Sequence, residues 1–273
     1  MKVLFCSFSS TGNTSKVGDV MVQRLESLGA EVDRIDAARP FVRQKPVDMT
    51  PYQAAVFGSP IHSMRAPRVL RDWLKTLDGQ GKKCAMYFTY GGFQVHPAHY
   101  TTASILEESG FEVLASAEFP GAHTFNLNGW EAMVGRPDES DLEVARAYAE
   151  IIWKRFTGQD QGKVGGLDRG PYTEEQLDTF EGFRFKLVQQ LPTRKGEDCQ
   201  MCMICEDVCP TGAMDAQKGQ ARSDICMVCL ACVKQCPDQV LKVNDLTAGF
   251  KLKMSHDGET LETLAKKKSK MYL

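Results

Sequence analysis

From Lys2 to about Lys154, short runs rich in Val, Leu, Phe and Ala alternate with longer stretches whose apolar residues recur at helical spacing. The runs predict strands at Val3 to Phe8, Glu31 to Ile35, Ala54 to Gly58, Cys84 to Thr89 and Glu112 to Phe119. Between and after them, helices are expected near Asn13 to Leu28, Pro67 to Leu77, Pro97 to Ser109 and Glu139 to Phe156, the last opening behind Pro137-Asp138. Near-continuous apolar strands that alternate with helices imply a parallel sheet covered on both faces, hence an α/β fold.

The pattern breaks after Phe156. Gly158, Gly162, Gly165-Gly166 and Gly170-Pro171 read as a linker, and Thr173 followed by Gln176 reads as a capping box opening a helix. Leu177, Phe180, Phe183, Leu187 and Val188 give that helix an apolar face, which suits a connector docked on its neighbours better than a membrane-surface anchor. Thirty-three basic against 35 acidic residues give a net charge of -2, which offers no reason to expect nucleic acid, and the Lys266, Lys267, Lys268 and Lys270 cluster reads as a solvated end. The apolar run at the N-terminus is too short for a signal peptide and no stretch is long enough to span a membrane, so a cytoplasmic protein is expected.

Eight of the 10 cysteines lie between Cys199 and Cys236; the other two, Cys6 and Cys84, sit alone in strand-like runs and read as core. The eight form two copies of one pattern, Cys199-x-x-Cys202-x-x-Cys205-x-x-x-Cys209-Pro210 and Cys226-x-x-Cys229-x-x-Cys232-x-x-x-Cys236-Pro237. Two-residue spacings bring three thiolates from one loop to three corners of an iron-sulfur cube, while the fourth cysteine turns away to the other cluster. On that logic Cys199, Cys202, Cys205 and Cys236 hold one 4Fe-4S cluster, and Cys226, Cys229, Cys232 and Cys209 hold a second. Zinc knuckles also use C-x-x-C pairs, but zinc does not call for a third cysteine at the same spacing or a fourth before proline. The segment resembles the two-cluster bacterial-type ferredoxins, whose members carry single electrons, and this implies a small α+β ferredoxin-like domain over residues 193–243. Beyond it, residues 244–273 form an extension of no assigned role in which Asp257-Gly258 is expected to turn a hairpin.

The first strand runs into Ser9-Ser10-Thr11-Gly12-Asn13-Thr14 and then a helix. Hydroxyls, an amide, a close-turning glycine and the free N–H groups of a helix start make a cradle for a phosphate monoester. Neither the ATP-type P-loop nor the dinucleotide G-x-G-x-x-G is present. The loop resembles the flavodoxin phosphate loop, with Ser9, Thr11, Gly12 and Thr14 in the matching positions. Ser59-Pro60-Ile61-His62 follows the third strand and Thr89-Tyr90-Gly91-Gly92-Phe93 the fourth, so three loops share the carboxyl end of the sheet. The resemblance covers about residues 1–156 and implies a flavodoxin-like, doubly wound five-stranded parallel sheet of order 2-1-3-4-5 in a domain spanning 1–157. It also implies FMN, with ring contacts from the second and third loops. The sequence departs from the best-known flavodoxins in lacking a clear aromatic pair for the ring: Tyr90 and Phe93 are candidates on one side, Ile61, His62 and Met64 on the other. His96, His99 and His123 are weaker candidates, although Gly121-Ala122-His123 follows the fifth strand.

With residues 158–192 as the tether, the chain reads as an electron-transfer iron-sulfur flavoprotein that adapts one-electron to two-electron chemistry and docks on other redox proteins. The alternative is a flavin-dependent reductase of a small molecule such as a quinone or nitro compound. No acid/base set and no NAD(P) fingerprint stands out, and a homodimer is expected if one chain cannot bring clusters to flavin.

Overall fold

The structure, a computed structural model, describes every residue except His96, Gln189 and Glu197, and for residues 183–188 the backbone alone. Strands β1 (Lys2–Ser7), β2 (Glu31–Asp36), β3 (Ala54–Pro60), β4 (Lys83–Tyr90) and β5 (Glu112–Pro120) alternate with helices α1 (Asn13–Ser27), α2 (Arg68–Leu74) and α3 (Ala98–Glu108), and α4 (Glu139–Phe156) follows. The five strands pair in parallel in the order β2-β1-β3-β4-β5, the flavodoxin-like arrangement. Period two decides which residue faces which layer. Leu4, Cys6, Phe57, Cys84, Met86 and Phe88 point to the layer of α2 and α3. Val3, Phe5, Val56, Ala85 and Tyr87 point to that of α1 and α4. Both isolated cysteines are buried core residues, as expected.

Local chemistry sets the helix ends. Asp138 caps α4 in a capping box with Asp141, and Thr173 and Gln176 exchange the reciprocal bonds of a second box, at 2.9 and 3.2 Å. This second box opens α5 (Glu174–Val188). Among the described side chains, charge docks α5: Arg65, whose side chain is 2% exposed, meets Glu174, Asp178 and Glu181 at 2.8, 2.6 and 2.9 Å, and Arg71 meets Glu181 at 2.8 Å. Leu177 is buried; the side chains of Phe183, Leu187 and Val188, expected on the same face, lie outside the described residues. The preceding segment lies along the α/β body, with Val164 and Leu167 against its core.

A second, smaller domain is built on an antiparallel sheet of order β7-β8-β6-β9, from β6 (Thr193–Arg194), β7 (Met214–Asp215), β8 (Gln220–Ala221) and β9 (Leu241–Lys242). Two short helices, α6 (Ile204–Asp207) and α7 (Ala231–Gln235), complete it. Its core is small and rich in cysteine: Cys209 and Cys232 are buried with Ala213, Met214, Ala221 and Leu241.

The end of the chain departs from expectation. Asp257-Gly258 turns no hairpin; Asp257 closes helix α8 (Thr247–Asp257) and Gly258, at φ +66, is its left-handed cap. A residue free to adopt positive φ serves either motif, and the preceding residues decide between them. Helix α9 (Leu261–Ala265) follows, and β10 (Lys270–Tyr272) returns to pair antiparallel with β5, making the large sheet six-stranded. The lysine cluster is therefore not simply a solvated end: Lys267 meets Glu259 at 2.6 Å, and Lys270 lies in the added strand. Among the described residues no helix is long and apolar enough to cross a membrane.

Candidate functional site

The first loop opens α1 through Gly12 at φ +102, a backbone state costly for side chains with a Cβ, and Gly12 offers the helix no side-chain cap. Ser9 Oγ accepts from Ser15 N at 3.1 Å, Thr14 Oγ1 in the first turn of α1 lies 2.7 Å from Thr89 Oγ1 of β4, and Asn13 Nδ2 donates to the Ala122 carbonyl at 2.8 Å. These bonds tie the first and third loops and the segment after β5 together at the carboxyl end of the sheet. One cavity of about 120 Å³ is lined by Ser9, Ser10, Thr11, Asn13 and Thr14 of the first loop, Pro60, Ile61 and His62 of the second, and Thr89, Tyr90 and Gly91 of the third. Gly12, Ser59 and Gly92 do not line it; Ser59 Oγ turns to the Pro60 carbonyl at 2.8 Å. Gly91 is required by its neighbour, since a Cβ there would fall 2.2 Å from the His123 ring.

Phe93 lines an adjoining apolar chamber of about 460 Å³, with Trp130, Phe125 and His123 from the segment after β5 and Leu252, Lys253 and His256 from α8. His123 borders both spaces and stacks on Trp130 at 4.5 Å. Burial pushes the Tyr90 hydroxyl pKa up, so it stays protonated between the two spaces. Sequence reasoning missed Trp130, Phe125 and α8, which no strand-end position marks. His99 is instead buried in the body, with Ser116 Oγ at 2.7 Å and Glu118 at 3.1 Å; His96 lies outside the described residues.

The cysteines gather in two sets. Cys199, Cys202, Cys205 and Cys236 line one small cavity. Cys209 and Cys232 are buried in one small core against which Cys226 packs, and burial raises the Cys232 thiol pKa, with the neighbouring Cys229, Cys209 and Cys226 raising it further. The Cys229 thiol is likewise pushed up to about 12, first by burial. Buried thiols at such mutual range favour a bound cation able to hold them as thiolates. The Ala213 N–H donates to Cys209 Sγ at 3.1 Å and the Val228 N–H to Cys226 Sγ at 3.4 Å, an arrangement suited to thiolate acceptors. Among the described residues no three His, Cys, Asp or Glu side chains close on a single ion; an iron-sulfur cube has an iron at each of four corners and spreads its ligands further apart.

The two halves meet at this site. Met227, Val228 and Cys229 line the same cavity as the phosphate loop. Val228 and Leu230 are buried with Phe125 and Leu246. Arg39 donates to the Asp207 carbonyl at 2.8 Å, and Arg43 to that of Pro210.

Residues 195–215 match the family described as 4Fe-4S binding domain. No curated protein sequence matches the chain. Among solved structures, the chain is similar to a flavodoxin from the domain Archaea, at 18% identity and a TM-score of 0.42, over 57% of this chain and 99% of that one. It is also similar to oxidised Flavodoxin 2 from Bacillus cereus, at 20% identity and 0.45, over 59% and 100%. Rubredoxin oxygen:oxidoreductase from the anaerobe Desulfovibrio gigas is similar at 18% identity and 0.45, over 58% and 36%. The chain thus joins a flavodoxin-like α/β fold to a ferredoxin-type 4Fe-4S domain.

Proposed function

We propose that the protein is an electron-transfer iron-sulfur flavoprotein in which residues 1–157 bind FMN and residues 193–243 bind two 4Fe-4S clusters, joined by the segment 158–192. Cys199, Cys202, Cys205 and Cys236 hold the first cluster and Cys226, Cys229, Cys232 and Cys209 the second. The observation that carries the reading is the shared cavity: the second cysteine loop and the phosphate loop line one space in one chain, so the relay needs no partner subunit. When bound, FMN supplies two-electron and the clusters one-electron exchange. The chain's own residues do the rest. The first turn of α1 and the Ser9, Ser10, Thr11 and Thr14 side chains hold the phosphate, Asn13 braces the loop, and Ile61, His62, Tyr90 and Gly91 border the ring. The Ala213 and Val228 N–H groups stabilise charge on the cluster sulfurs and so raise the cluster potential. The first cysteine loop, with Met201 and Cys202 exposed, faces outward toward redox-protein partners, and a reducing cytoplasm suits a chain whose cysteines form no disulfides.

Anaerobic purification followed by iron, sulfide and acid-released flavin quantitation tests this. About eight irons and one FMN per chain are expected; zinc without flavin would sink both halves.

The chamber beneath α8 favours a second reading, reduction of a flat aromatic acceptor such as a quinone or nitro compound. Phe93 and Trp130 offer apolar faces, and Lys253 and His256 offer donors to an oxygen-bearing edge. Saturable turnover of a quinone at a rate that falls when Trp130 is replaced by Ala would establish that reading over a carrier alone.

A further inference from the structure

Lys234 belongs to α7, between Cys232 and Cys236, yet its ammonium group crosses to the flavodoxin-like body and donates to the Thr11 carbonyl oxygen in the phosphate loop. A Cβ at Gly12 would lie 3.9 Å from that nitrogen, its only neighbour within 4 Å. The Thr11–Gly12 peptide is trans, so its C=O and N–H point in opposite directions. Anchoring the carbonyl on the side of the cluster domain therefore turns the Gly12 N–H away from that domain. The same cavity holds an unpartnered buried hydroxyl, Ser63 Oγ, on a residue only 6% exposed, as expected of a space shaped for a polar ligand.

From this geometry we infer that Lys234 is a positioning residue for phosphate: the cluster domain, through one lysine, sets the Thr11–Gly12 peptide in its anion-binding orientation and adds a positive charge beside the loop. The inference rests on the FMN reading above and deepens it. Its consequence is linkage. If docking of the cluster domain orders the phosphate loop, phosphate binding must in turn tighten that docking by the same factor, so an empty flavin site loosens the cluster-to-flavin contact and a filled one closes it. A body without its cluster domain would keep the Ser/Thr/Gly motif and lack the lysine that sets it.

The test uses full-length protein with its clusters, stripped of flavin under anaerobic conditions, and compares wild type, Lys234→Gln and Lys234→Arg by flavin-fluorescence titration with FMN and with riboflavin, which lacks the phosphate. FMN affinity should fall about 5- to 30-fold in Lys234→Gln, riboflavin affinity should not change, and Lys234→Arg should recover most of the loss. Hydrogen exchange over residues 226–236 should slow on FMN addition in wild type and not in Lys234→Gln. Equal loss for both flavins would reduce Lys234 to a structural contact and overturn the inference, as would unchanged FMN affinity. If wild type takes up neither flavin, the FMN reading itself falls and takes this inference with it.

Discussion

Met201 and Val228 stand at equivalent places in the two cysteine loops, both at φ +55, and Met203 and Leu230 match in the same way at +64 and +56. The repeated spacing thus folds twice into the same left-handed path around its second cysteine, a path unfavourable for residues with a Cβ and more so for a β-branched valine. The surroundings then diverge. Met201 is 40% exposed, whereas Val228 is 2% exposed and packed under Phe125 and Leu246. Sequence made the loops alike, and docking on the α/β body made one a face toward solvent and the other a face toward the cavity at the carboxyl end of the sheet.

The largest effect separating them comes from removing a thiol. On the proposed two-cluster assignment, Cys232→Ser and Cys202→Ser should each lose about half the iron. Only Cys232→Ser should also cut the flavin off from the remaining cluster. In Cys202→Ser, flavin and second cluster still equilibrate while exchange with an external protein donor slows. Stopped-flow mixing with a reduced protein donor reads both; identical behaviour of the two variants would remove the distinction.

Next comes the helix that backs the buried loop. Glu181 meets Arg65 and Arg71 and borders a cleft shared with Cys226 and Met227. Glu181→Gln should cost about 1–3 kcal/mol in denaturant unfolding and speed hydrogen exchange at residues 224–230 while leaving 199–205 unchanged. Burial alone would raise the Glu181 carboxyl pKa, but Arg71, Arg68 and Arg65 hold it below its ordinary 4.5. Its contribution is therefore complete above that value and lost as the pH falls through the lowered one, and acid titration should expose the second loop before the first. The smallest contrast is between glycines. Met201→Gly should raise thermal stability by about 0.5–1 kcal/mol through relief of positive-φ strain. Val228→Gly gains the same relief but loses buried packing, and should come out destabilised.

Much of the body could be read from the chain. The Val/Leu/Phe runs placed β1 to β5 within a residue or two, because strands buried on both faces need unbroken apolar sequence, and Asp138 and Thr173 announced their helices through capping chemistry that is wholly local. Strand β10 was hidden: three residues beside lysines carry no period, and its place depends on the free edge of β5, where Tyr272 bonds Glu118 at 2.8 Å. Trp130, Phe125 and α8 were hidden for the same reason. Their part in the site comes from where the chain folds back, not from any motif.

The sequence by itself determined the doubly wound sheet, the phosphate-loop motif and the two cysteine loops, because strand period, helix capping and ligand spacing act over a few residues. Only the tertiary structure decided which cysteine loop faces the cavity at the carboxyl end of the sheet, that Lys234 reaches Thr11, and that the last thirty residues close the sheet edge and roof the chamber. Those are contacts between segments far apart in sequence, fixed by the shape and charge of surfaces that exist only once both halves have folded.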